Sequence, residues 1–184
     1  MKKEITKFLL VISFLLFFSC GNKVNHDKAL TFISTIWQNY SIATDSIETY
    51  TNKLKEAIEI TKSNNDRKLD ETSTDTLKKY YQSSIKTLAL SIKKINELDE
   101  FDLNINMKSK MLNLFKDMKY LLDSCSTQII NSLNHGLDNI SNQEIEKIKE
   151  FTSLNQNISI EQNDINKLGP IFQEKYHIKD DELK

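Results

Sequence analysis

Glycine, proline, cysteine and arginine are all scarce in this sequence, and each shortage closes off a class of structure or chemistry. Three glycines and one proline in 184 residues leave little material for tight β-hairpins, glycine-rich phosphate loops or a β-sandwich. The expectation therefore moves to an all-α fold. Arg67 is the single arginine. Without the bidentate guanidinium grip on phosphates and bases, no nucleic-acid partner is expected. An excess of one charge is missing too. The chain carries a net −1, and residues 1–19 hold Lys2, Lys3, Lys7 and Glu4, so the remainder carries −3, too small an imbalance to name a partner.

Metal and cofactor motifs are absent as well. His26, His135 and His177 are the only histidines, and the Glu-x-x-His spacing occurs once, from Glu174 to His177 near the end of the chain, where di-iron bundles present it from two helices. The Cys-x-x-Cys-His signature of covalent haem is missing. Met107, Met111 and Met118 stand four and seven apart. Thioethers so placed suit copper(I), but methionine on an apolar stripe packs a core more often, and packing is the reading taken. The acidic stretches 99–102 and 180–182 lack the glycine and ligand spacing of a calcium loop and read as a solvated turn and tail. No metal and no cofactor are expected.

Long hydrophobic runs are equally rare, and the one present is short. Phe8 to Phe18 is apolar except for Ser13 and follows Lys2, Lys3 and Lys7, the layout of a secretory signal. A membrane-spanning helix needs about 20 apolar residues, whereas polarity returns here at Gly21-Asn22-Lys23. Where the run stops, Phe17-Phe18-Ser19-Cys20 resembles the lipobox read by bacterial lipoprotein signal peptidase. Ser19 and Cys20 fit that pattern, while Phe17 and Phe18 are bulkier than its usual residues. Cysteine is demanded because its thiol is alkylated to a thioether carrying diacylglycerol, after which cleavage frees an amine for a further acyl chain. Two or three chains anchor firmly where one does not.

The expected organisation is a lipoprotein signal peptide at 1–19, lipidated Cys20 with a tether to residue 26, a helical domain at 27–178 and a charged tail at 179–184. An ordinary signal with Cys20 as a passenger, or an uncleaved anchor, are the alternatives. After Cys20, Gly-Asn-Lys-Val-Asn contains no acidic surface-export run, so the expected location is the cell envelope, lipid-anchored at the outer membrane and facing the periplasm, with exposure at the cell surface as the alternative. The 165 residues from Cys20 onward suit one domain. With Cys20 lipidated, Cys125 has no disulfide partner, and its place between Leu122 and Ile129 predicts a buried, inert thiol.

Apolar residues at alternating spacings of three and four then mark four amphipathic helices. The first runs over 27–63 through Leu30, Ile33, Trp37, Tyr40, Ile47, Leu54 and Ile58, capped by Asn25 or Asp27. The second has Asp75 in its first turn, Ser73 or Thr74 as cap, and a stripe of Leu77, Tyr81, Ile85, Leu88, Ile92 and Ile95. The third covers 105–135 and stops at Gly136. Ser141 and Glu144 form a capping box for the fourth, which Gly169-Pro170 is expected to kink or break, and its Asn155, Asn157, Asn163 and Asn166 weaken helix propensity. Short links between long helices predict an antiparallel up-down-up-down four-helix bundle.

Trp37, Tyr40 and Tyr81 are the candidate lining of a ligand pocket between helices, against the plainer reading of core packing. Asp45-Ser46-Ile47 and Asp75-Thr76-Leu77 resemble O-glycosylation acceptor sites of some Gram-negative bacteria. The lipobox, the long helices, the Leu98-Asp99-Glu100-Phe101-Asp102 link and the closing Phe172-Gln173-Glu174-Lys175-Tyr176-His177-Ile178 together resemble uncharacterised helical lipoprotein families of Gram-negative bacteria. That resemblance spans most of the mature chain and implies an envelope-anchored helical domain without a catalytic motif. The leading functional expectation is a non-enzymatic domain, tied to the membrane through lipid on Cys20, that binds an envelope protein partner or scaffolds a complex. A carrier of a small apolar ligand is second, and an enzyme third.

Overall fold

The computed structural model describes residues 2–64 and 68–183, with side chains from residue 25 onward. Every regular element among them is helical: α1 (Lys2–Ser63), α2 (Glu71–Asn96), α3 (Met107–Leu121), α4 (Thr127–His135) and α5 (Asn142–Tyr176). A π-helical turn, Leu122–Ser126, carries α3 into α4 without a break. The third expected helix is thus α3, the π turn and α4 together. No helix among the described residues is long and apolar enough to cross a membrane. The expected signal segment, its expected recognition residues Phe17, Phe18 and Ser19, and the expected lipidation site Cys20 lie outside the described side chains.

Helix ends depart from expectation in three places. Asn25, His26 and Asp27 are already inside α1; the residues around them contain no proline, and Gly21 alone costs a helix only about 1 kcal/mol. α2 begins at Glu71, not beside Asp75, because Asp70 caps it by accepting from Ser73 N at 2.9 Å and from Ser73 Oγ at 2.7 Å. The neighbouring Leu69 N–H donates to the Leu133 carbonyl at 2.8 Å, which fixes where the chain turns. Starting there brings Thr74 onto the buried face in phase with Leu77, Ser84, Leu88, Ser91 and Ile95.

The third departure is at Gly169-Pro170, where α5 does not stop. The missing proline N–H leaves one helical carbonyl without its donor, yet packing holds the last turns in place. Gly169 is needed for contact: a Cβ there would lie 2.8 Å from Trp37 Cζ2. α5 ends instead at His177, whose φ of 56° is left-handed. Ile178 N–H then donates to the Gln173 carbonyl at 2.9 Å, and the side chain of Ile178 is buried, as a Schellman ending requires. At the other end the expected capping box is present, with Ser141 N donating to Glu144 Oε2 at 2.8 Å and Glu144 N donating to Ser141 Oγ at 3.3 Å.

Cross-helix contacts fix the registers. Ser84 Oγ donates to the Ser46 carbonyl at 2.8 Å, and the Tyr50 and Tyr81 rings stand 6.1 Å apart. Further along, Phe32 of α1 lies 5.7 Å from Phe101, beyond the end of α2. Ser132 Oγ donates to Glu144 Oε1 at 2.7 Å, and Tyr120 OH donates to Glu150 Oε1 at 3.1 Å. Small residues allow the α1–α2 approach: Ala29, Ala43 and Ala57 are buried on α1, Ser84 and Ser91 on α2. Around them Tyr50 is fully buried, as are Phe115, Phe172, Leu88, Ile95 and Leu114, these last five each contributing about 1.5–3 kcal/mol relative to exposure.

Candidate functional site

The three aromatic residues expected to line one pocket do not meet. Trp37 and Tyr40 pack edge to face with centroids 5.5 Å apart, against α5 through Gly169. Tyr81 packs instead on Tyr50, thirteen residues beyond Trp37 on α1. Thirteen residues advance a helix by about 20 Å and leave the two side chains roughly 220° apart around it, so Trp37 faces α5 where Tyr50 faces α2. One edge of Trp37 opens on a hollow of about 400 Å³ shared with Ser34, Gln38, Ser41, Ile42 and Leu183.

Further along, α1 and α5 build a groove of about 260 Å³ over α3. Its floor is aliphatic and thioether, formed by Ile47, Met118, Leu121 and Ile158, and its rim carries Glu48, Thr51, Asn52, Lys55, Asn155 and Gln162. On α1 the spacing of Thr44, Glu48, Thr51 and Lys55 keeps them on one face; on α5 Asn155, Ile158 and Gln162 do the same. At one end the Tyr40 hydroxyl faces the amides of Asn166 and Gln162; burial pushes its pKa up and those two amides pull it partly back. Nearby, burial and the Asp117 carboxylate push Glu161 up.

Exposed charged residues of α1 and α5 pair one turn apart at several places, Lys53 with Glu56 at 2.7 Å, Lys62 with Glu59 at 2.8 Å and Lys167 with Asp164 at 2.8 Å. Glu48 and Lys55 have no ionic partner, and Asn52 and Asn155 no hydrogen-bond partner, among the described residues. The asparagines of α5 read, in sequence, only as weak helix formers. Asn155 and Asn166 share a face with Gln162, and that spacing is the signal the reading missed.

A second cluster corrects the expectation of a solvated 99–102 turn at Asp102. Asp102 is only 6 % exposed. Its Oδ1 accepts from Asn104 N at 3.0 Å, and its Oδ2 accepts from Tyr176 OH at 2.9 Å and from Lys175 Nζ. Burial pushes the carboxyl up, but Lys175, Tyr176 and the turn N–H groups outweigh it and hold it below the usual carboxylate range. Conversely burial and Asp102 push Tyr176 up to about 12. Phe32, Phe101, Phe172 and Tyr176 stack around the pair with centroids 4.6–5.8 Å apart. Glu100 caps α3 by accepting from Ser109 N at 3.0 Å, and Lys108 Nζ donates to the Asn96 carbonyl at 3.2 Å at the end of α2.

The tail is exposed over 179–182, as expected, but is held to the bundle at two points. Gln173 Nε2 donates to Asp180 Oδ1 at 2.8 Å, and Glu182 Oε2 lies 3.5 Å from His26 Nε2, so His26 contacts the tail from within α1.

Other candidates fall into structural positions. Met107, Met111, Met118 and Cys125 are buried, and no three His, Cys, Asp or Glu side chains converge as a metal site requires among the described residues. Next to Cys125, the hydroxyls of Tyr50 and Ser126 and Oε1 of Gln128 are buried without a hydrogen-bond partner; burial pushes Tyr50 up to about 12. Ser46, in the first glycosylation-like triplet, hydrogen-bonds Ser84 at 3.2 Å across the α1–α2 interface. Thr76, in the second, is exposed and bonds the Thr72 carbonyl at 2.9 Å.

No family model matches the chain, and no curated protein or solved structure is significantly similar to it. The 98–102 link and the closing 172–178 segment pack on one another, through Phe101, Asp102, Phe172, Lys175 and Tyr176.

Proposed function

We propose that the chain is a bacterial lipoprotein whose helical domain, held by lipid on Cys20, binds a protein partner or scaffolds a complex in the cell envelope. The observation that carries the address is Phe17-Phe18-Ser19-Cys20 at the end of a short apolar run behind three lysines. What supports binding is the groove between α1 and α5, with an aliphatic and thioether floor under a polar rim. The domain is an up-down-up-down antiparallel bundle. Supporting that, residues 32, 46 and 50 of α1 meet 101, 84 and 81 in reverse order, and 120 and 132 meet 150 and 144 likewise.

The address is tested by metabolic labelling with radioactive palmitate. Wild type is expected to take up label and fractionate with outer membranes, and Cys20→Ala to do neither. Label retained on the alanine variant removes the lipoprotein reading. A carrier of a small apolar ligand is the second reading, favoured by the hollow beside Trp37. Native mass spectrometry of protein from its own host is expected to show bound ligand mass if that reading holds.

A further inference from the structure

We infer that one internal water bridges the Tyr50 hydroxyl of α1 and the Ser126 hydroxyl at the end of the π turn, in a closed polar site within the bundle core.

These two hydroxyls differ from other buried ones in the same bundle. Thr61 donates to the Ala57 carbonyl at 2.7 Å, Thr74 to the Asp70 carbonyl at 2.9 Å, Ser84 to the Ser46 carbonyl at 2.8 Å and Ser132 to the Gln128 carbonyl at 3.0 Å. Tyr50 and Ser126 are each 0 % exposed, and neither hydroxyl has a hydrogen-bond partner among the described residues. A buried hydroxyl left unpaired lowers the folding equilibrium constant about tenfold, a cost that phenylalanine and alanine would not incur in the same places. The two also stand together. Ser126 is the group that pulls the Tyr50 hydroxyl partly back from where burial pushes it, so they face one another, yet they do not bond directly. A water can both donate and accept, and buried waters sit where polar groups have no other partner. A single one satisfies both hydroxyls.

The π turn is what brings Ser126 there. Four-residue steps in an unbroken α-helix drift by about 40° each, and the residue that a π turn adds takes up that drift. Leu122, Ser126 and Ile130, all buried, thereby stay in one line toward the core. Ser124 uses its own hydroxyl locally, donating to the Tyr120 carbonyl at 2.6 Å, which leaves Ser126 as the hydroxyl the turn turns inward.

Charge and enclosure narrow the occupant to water. Besides Ser126, the groups that act on the Tyr50 hydroxyl are Tyr81 and Cys125, a phenol and a thiol with no ammonium, guanidinium or carboxylate among them. An ion enclosed at this spot would lack a counter-charge, at a heavy desolvation cost. Gln128 Oε1 is the third buried atom without a partner, but it stands two residues beyond Ser126, about 200° round the helix, and belongs to a different spot.

The test compares the full-length chain in detergent micelles with Tyr50→Phe, Ser126→Ala and the double variant. Oxygen-17 magnetic relaxation dispersion counts the waters held long enough to tumble with the protein, and urea titration reads stability. Each single variant is expected to lose one long-lived water and about five- to tenfold in folding equilibrium constant. The double variant is expected to lose that same one water, and less stability than the two singles combined. A water count unchanged in the variants overturns the site: with lowered stability the hydroxyls bond each other directly, and with raised stability they are unpaired. Circular dichroism checks that each variant folds as wild type does. Should one fail to fold, a crystal structure of wild type decides, a water oxygen within about 3 Å of both hydroxyls supporting the bridge and its absence from the electron density overturning it.

Discussion

Replacing Asp102 separates the charge of its junction from its hydrogen bonds. Asp102→Asn keeps a carbonyl oxygen for the N–H groups of Asn104 and Ile105 but turns an NH2 toward Lys175 and Tyr176. A hydrogen bond to a charged group contributes about 1.5–3 kcal/mol. The Lys175 side chain is 45 % exposed, so solvent screening reduces its share to under about 1 kcal/mol. Adding about 1 kcal/mol for the better buried Tyr176 bond, Asp102→Asn is expected to destabilise by about 2 kcal/mol, and Asp102→Ala by about 3 kcal/mol as the turn N–H groups lose their acceptor. Tyr176→Phe alone is expected to cost about 1 kcal/mol, and the Asp102→Asn/Tyr176→Phe pair less than the sum of the singles. The folded carboxyl is depressed, so its contribution is whole above the ordinary aspartate range and is lost as pH falls through the folded value. Urea titrations at pH 7 and pH 3 measure this, the wild-type advantage over Asp102→Asn narrowing at the lower pH. A loss below about 0.5 kcal/mol at pH 7, or a gap that widens on acidification, refutes the junction.

Two further perturbations follow from the ends of α5. Gly169→Ala gains up to about 1 kcal/mol of helix propensity, but the new Cβ would stand 2.8 Å from the Trp37 ring, and overpacking costs about 1–3 kcal/mol. The net expectation is destabilisation by about 1 kcal/mol, relieved in a Trp37→Leu background; a more stable single variant contradicts the close approach. Glu144 is held down to about 2 by the Ser132 hydroxyl first and by Ser141 next. Its stabilisation is therefore complete above the unfolded value of 4.5 and lost as pH falls through about 2. The stability difference between wild type and Glu144→Gln, followed by thermal denaturation, should shrink across that window.

The four helical segments were legible because their apolar residues recur at three and four, and because stops such as Gly136 and the Ser141–Glu144 box satisfy backbone groups locally. What was not legible depends on residues far away. Asp70 and Ser73 are both good caps by type, and the choice is made by Leu69 N–H on Leu133. Asp102 looks like any acidic turn residue until Lys175 and Tyr176 arrive from the other end of the chain. The π turn leaves only a faint trace: buried pairs fall four apart at Leu121 and Leu122, Cys125 and Ser126, Ile129 and Ile130. A regular helix of 3.6 residues per turn drifts from such a repeat, and an inserted residue restores it. The aromatic pocket failed for the same geometrical reason, since Trp37 and Tyr50 look out from opposite sides of α1.

The two clusters divide the work along α1. Phe32 and His26 tie the Asp102 junction and the tail to the part of α1 nearest in sequence to Cys20. The groove begins at Thr44 and reaches Lys55, some 17 to 28 residues beyond Asp27, or about 25–42 Å further along the helix. If Cys20 sits in a bilayer, the closed and interlocked end lies against the membrane and the unengaged rim stands well clear of it. The anchor then limits where the domain can go without covering the surface it presents.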